Sequence, residues 1–117
     1  MSLSPEQYAS GRQELQEVLR EWDETGNSAG SPSVTNRFGS WFERIKDEGW
    51  TRKDVYDLVR DILDERPVRF SESTIDELAG FETTLTGFCA ADCILRFPNE
   101  PSGVSQLVEY VRGNRWR

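Results

Sequence analysis

A chain of 117 residues with net charge −7, 30% charged and 36% hydrophobic residues and no histidine excludes several functions before any pattern is read. Its acidic balance disfavours direct binding to nucleic acid, because gripping a phosphate backbone takes a surplus of Lys and Arg. Without histidine there is no His-based triad, Cys–His dyad or imidazole metal ligand, and two cysteines cannot alone build a four-ligand zinc site.

Four Trp, six Phe and three Tyr supply enough apolar mass for a packed core and too much for a disordered chain. The length suits a single helical domain over residues 1–117. No 18-residue apolar run occurs, so no membrane span is expected. The opening MSLSPEQYAS lacks the basic and apolar regions of a signal peptide, and the expected location is cytoplasmic.

Ser4-Pro5-Glu6-Gln7 reads as a helix start: Ser as N-cap, Pro at the first helical position and Gln at the third. The first helix should run to about Thr25 before Gly26, with Tyr8, Leu15, Val18, Leu19 and Trp22 as its apolar face and Gly11 a close-packed or weak spot. Residues 26–33, GNSAGSPS, read as a flexible loop. Ser31-Pro32 restarts a helix whose stripe is Val34, Phe38, Trp41, Phe42 and Ile45, stopped by Gly49. Thr51-Arg52-Lys53-Asp54 is a capping box for a third helix ending near Glu65, which buries Val55, Leu58, Val59, Ile62 and Leu63. With Trp50 alone between Gly49 and that cap, the second and third helices are expected as an αα-hairpin.

Thr74–Phe97 is the longest apolar stretch. Ile75, Leu78, Phe81, Leu85, Phe88 and Cys89 recur at helical spacing, which predicts a central helix, capped by Ser71 or Ser73, that the others cover. Continued past Ala91, it would bury Asp92 and Arg96 as a pair. Pro98 disfavours helical geometry at Phe97, so the expected end lies near Ala90–Ala91, with an extended 94–97 able to pair with 68–70 as a minimal two-stranded ribbon. Cys89 and Cys93 stand four apart. On a helix their Cβ atoms would be about 5–6 Å apart, beyond the roughly 3.5–4.5 Å of a disulfide, so buried free thiols are expected. A short last helix carries Val104, Leu107, Val108 and Val111 up to Gly113, and the tail ends Arg115-Trp116-Arg117. The fold class is all-α: a compact bundle of four to five helices.

Neither GxGxxG nor GxxxxGK[ST] is present, so no phosphate-cradling loop is expected. The most ordered polar feature lies on the third helix, where Asp54, Asp57, Asp61, Asp64 and Glu65 share an arc about 100° wide beside the apolar stripe. Asp64 and Glu65 sit at the helix end where the dipole disfavours acids. Such a ridge either faces a basic partner or is a solvated surface tempered by Lys53 and Arg60. Trp50, in the turn, is an interface anchor in the first reading and folds over the core edge in the second.

Glu14-x-x-Glu17 and Asp61-x-x-Asp64 resemble the paired acidic motifs of the all-α nucleoside-triphosphate pyrophosphohydrolases. That resemblance implies Mg²⁺ held between helices and hydrolysis of nucleotides, and it is the alternative reading. The leading expectation is a small acidic, non-catalytic protein-binding module of the inhibitor or immunity-protein kind, with no cofactor and no metal. It would dock a basic protein through Asp54, Asp57, Asp61, Asp64, Glu65 and Trp50. A homodimer built on the aromatic surplus is the third option.

Overall fold

A computed structural model describes residues 3–24 and 32–113 of the chain. The first six residues of the expected flexible loop, and Trp116, lie outside the described residues. Among the described residues five α-helices follow in order: α1 (Pro5–Glu24), α2 (Pro32–Asp47), α3 (Arg52–Leu63), α4 (Glu72–Thr86) and α5 (Val104–Gly113), with one 3-10 turn at Ala91–Cys93.

The caps are those the sequence encodes. At α1, the Ser4 N–H donates to Gln7 Oε1 (3.1 Å) and the Gln7 N–H to Ser4 Oγ (3.1 Å), so each side-chain oxygen satisfies the other residue's otherwise orphaned N–H. Thr51 and Asp54 close the same box at α3. Ser71 caps α4 by accepting from the Thr74 N–H, and Asp23 of α1 accepts from the Ser71 N–H at 3.1 Å. The α4 cap is thereby pinned to the end of α1.

α1 packs along α2, and α3 along α4; α4 also meets α1 and α5. The expected hairpin of α2 and α3 is a corner instead, without comparable contact along their lengths. Gly49 turns the chain at φ 94°, and Trp50 is then drawn inward, 2% exposed, stacked on Tyr8 with ring centroids 5.8 Å apart. A buried indole in the four-residue connection 48–51 aims α3 at α4 rather than back along α2.

Gly11 is the close-packed spot. A Cβ there would stand 2.5 Å from Cζ2 of Trp50, and its carbonyl accepts the Trp41 indole N–H at 3.0 Å. Two tryptophans, from α2 and from the corner after it, thus converge on one glycine of α1. Around them Leu15, Leu19, Phe42, Ile45, Val55, Leu58, Val59, Ile62, Leu78, Leu85 and Phe97 form the core.

The central helix is α3 rather than α4. α3 buries Arg52, Val55, Tyr56, Leu58, Val59 and Ile62, whereas α4 buries Thr74, Leu78 and Leu85. α4 ends at Thr86, earlier than the expected Ala90–Ala91, because Gly87 takes the left-handed conformation at φ 85° and its N–H returns to the Thr83 carbonyl. The preceding Thr83 and Thr84 hydroxyls donate back to the carbonyls of Gly80 and Phe81, both at 2.6 Å, a competition that loosens a helix end. With the turn made at Gly87, Phe88 leaves the apolar stripe and stands 84% exposed. Cys89 is half-buried and Cys93 exposed; both are free thiols, so neither is the buried group expected.

Among the described residues no strand forms, so 68–70 and 94–97 do not pair. The backbone of the second segment is already engaged: the Leu95 N–H donates to the Thr84 carbonyl (3.2 Å) and the Leu95 carbonyl accepts from Arg52. Asp92 and Arg96 are both exposed. Ile94, Leu107 and Val111 make a smaller second core that seats α5. Arg112 ties that helix to the α4 stop, donating to the carbonyls of Gly87 and Cys89, each at 2.9 Å.

Candidate functional site

The α3 ridge is not a bare row of carboxylates, because each of its five acids has a partner within the chain. Asp54 accepts from the Thr51 N–H at 2.9 Å as part of the cap. Lys53 meets Asp57 at 2.5 Å and Arg60 meets Asp64 at 2.5 Å, each one turn along the helix. Asp61 accepts the Tyr8 phenol and faces Arg12 at 4.0 Å. Glu65 holds Arg12 at 3.3 Å and Arg69 at 2.6 Å. Arg60 also reaches Glu82 of α4 at 3.1 Å.

Two of these cations, Arg12 and Arg69, come from outside α3, which is why the helix alone looked so acidic. Most of the pairs are open to solvent, where an ion pair is worth about 0–1 kcal/mol and exchanges readily for another partner. The phenol of Tyr8 is pushed above its ordinary range, by burial first and then by donating to ionised Asp61. Trp50 lies beneath this surface and is not part of it. Its indole N–H has no acceptor among the described residues.

The two acidic pairs of the alternative reading do not converge. Glu14 is paired with Arg44 of α2 and Glu17 is exposed on α1, while Asp61 and Asp64 hold the cations named above. Among the described residues no three Cys, Asp or Glu side chains gather around a point where a metal ion could sit.

One polar group that the sequence reading passed over is the most elaborately held in the molecule. Arg52, 1% exposed, donates through Nε to Glu100 Oε2 (3.1 Å) and through Nη2 to Glu100 Oε1 (2.8 Å). Its Nη1 donates to the carbonyls of Leu85 (2.9 Å) and Thr84 (3.4 Å), and Nη2 also to that of Leu95. All five guanidinium donors are thereby used, and the group lies 4.8 Å from the centre of the Phe97 ring. A signal for this existed: Arg52 stands three, four and seven residues before Val55, Tyr56 and Val59, on the buried stripe itself. Fully enclosed and fully bonded, Arg52 has no donor left for a ligand, and its role is to hold α3, the end of α4 and residues 95–100 together.

Comparison of the chain with family models, with curated proteins and with solved structures gives no match. Among the described residues no helix is long and apolar enough to cross a membrane.

Proposed function

We propose that this chain is a non-catalytic module that docks a basic protein partner. The observation that carries the reading is the distribution of its excess negative charge. With the α3 ridge internally compensated, exposed carboxylates without an ion pair among the described residues remain at Glu6, Glu17, Glu24, Asp47, Glu72, Asp76, Glu77, Asp92 and Glu109. Such a surface attracts a cationic protein over a Debye length of about 8–10 Å and raises its encounter rate. At contact, partner lysines and arginines can replace the weak pairs of Asp57 and Asp64, so the ridge Asp54, Asp57, Asp61, Asp64 and Glu65 serves as the docking edge.

The test is capture of partners by the tagged full chain, read by mass spectrometry, alongside the variant Asp57→Lys/Asp64→Lys. Both side chains make only one-turn surface pairs, so the variant keeps its fold. A basic protein retained by the parent, released by the variant and eluted by moderate salt is the expected result. Equal capture by both chains, or release of pyrophosphate from nucleotides by the parent with Mg²⁺, overturns it.

A further inference from the structure

α1, α2 and α4 leave an open cleft of about 300 Å³ lined by Leu19, Trp22, Phe38, Leu78, Phe81 and Thr84, with Glu77 and Gly80. Its floor is apolar and its α4 edge acidic. Asp76 lies about 40° round the helix from Gly80 on one side, and Glu77 about 60° on the other. Neither they nor Glu72, one turn before Asp76, has an ion pair among the described residues; on α4 only Glu82, on the opposite flank, has one. The acids here are thus uncompensated, unlike those of the α3 ridge.

Gly80 adds a separate argument. A glycine inside a helix costs about 0.5–1 kcal/mol relative to alanine, and at Gly11 the fold explains it by the touching indole. At Gly80 it does not: the backbone is ordinary helix, and an added Cβ would meet no atom within 4 Å. The space it leaves belongs to the cleft, where the backbone lies open to close approach by another molecule. Gly39 of α2 is equally open, but it borders a shallow polar surface with Asn36, Ser40 and Glu43.

We infer that this cleft seats an apolar side chain of a basic, amphipathic peptide segment, whose flanking Lys or Arg residues meet Glu77 and the adjacent Asp76. A volume at the lower end of the roughly 300–1,000 Å³ typical of ligand sites suits one or two such side chains. An apolar anchor inside a charged rim is the usual layout of a binding hot spot. The inference rests on the reading of the chain as a docking module and adds to the α3 edge an anchor point on α4.

The experiment is selection of a random peptide library displayed on phage against the full chain, followed by synthesis of the enriched peptide. The expected peptide carries a large apolar residue flanked by Lys or Arg. It should lose at least about tenfold in affinity, or 1.4 kcal/mol, to Gly80→Met, which fills the cleft, and to Asp76→Lys/Glu77→Lys, which reverses its rim. Melting curves check that both variants fold. Met favours the helix over Gly, and the rim pair lies on the exposed surface, so neither is expected to unfold the chain. Basic peptides that ignore both variants but are lost with Asp57→Lys/Asp64→Lys overturn the cleft and leave the docking reading standing. Enrichment of no basic peptide overturns the cleft assignment, while the docking reading stands or falls by protein capture. A dimer in light scattering that Gly80→Met dissolves assigns the cleft to a second copy of the chain and overturns the peptide assignment.

Discussion

Arg52 and Glu100, 48 residues apart, meet as a two-pronged ion pair at 3.1 and 2.8 Å, with both side chains almost wholly enclosed. Taking two charges out of water costs several kcal/mol per ion, and the pair is viable here because every remaining guanidinium donor finds a carbonyl.

Removing one member therefore strands the other. Arg52→Met or Glu100→Ala should each cost about 3–5 kcal/mol of stability, and Arg52→Met/Glu100→Leu clearly less than the sum of two such losses. Urea denaturation of the three variants measures this as a double-mutant cycle, and additive losses would show that the two charges are not coupled.

Two helix-interior glycines should respond to alanine with opposite signs. At Gly11 the new methyl meets the Trp50 ring, and the overpacking cost of about 1–3 kcal/mol outweighs the roughly 1 kcal/mol gained in helix propensity. At Gly80 nothing is in the way, so Gly80→Ala should stabilise the chain by about 0.5–1 kcal/mol. Thermal midpoints moving down for Gly11→Ala and up for Gly80→Ala are the outcome to look for.

Tyr8 makes stability depend on alkaline pH. Its phenol is held above the ordinary value of about 10, by burial and then by the Asp61 carboxylate. The unfolded chain gives up this proton first. The contribution is therefore fully present below pH about 10 and is lost as the pH rises toward the folded value. Tyr8→Phe should flatten that part of the decline, measured as denaturant midpoints from pH 8 to 11 against the parent. An unchanged slope would show that the phenol is not held.

The two thiols should differ in reactivity. Burial pushes the Cys89 thiol up, and neighbouring Cys93 adds to the shift, while Cys93 itself is exposed. Since the thiolate is the nucleophile, iodoacetamide at neutral pH should modify Cys93 well before Cys89. Peptide mass spectrometry over a time course resolves the order, and equal rates would count against the difference in surroundings.

Local signals carried most of the fold. Ser4–Gln7, Thr51–Asp54 and Ser71 announce their helices because a cap involves only residues three apart, and Gly49 marks an end in the same way. The helix end was misplaced, at 90–91 instead of Thr86, because the hydrophobic stripe runs on through Gly87. Thr83, Thr84 and Thr86 before that glycine already compose a helix end, and apolar spacing alone cannot separate Phe88 on a turn from Phe88 on a core face. The α3 acids were legible, but their neutralisation was not. Arg69 pairs with Glu65 from four residues on, but Arg12 reaches Asp61 and Glu65 from α1, a proximity that exists only in the folded chain. Arg52 stood on the buried stripe all along, yet its partner lies across an irregular segment that no periodicity connects to α3. The cleft was invisible for a similar reason, being the gap left between three helices rather than a property of any one.

The meeting of Trp41 and Trp50 at Gly11 gives the molecule an internal optical gauge. Both indoles are shielded while α1 is in place, and both are wetted together if it lifts away, so their emission reports the seating of one helix. Trp22, on the same helix, lines the cleft instead. With Trp22→Phe and Trp116→Phe removing the other two indoles, ultraviolet fluorescence can follow the seating of α1 without any added label.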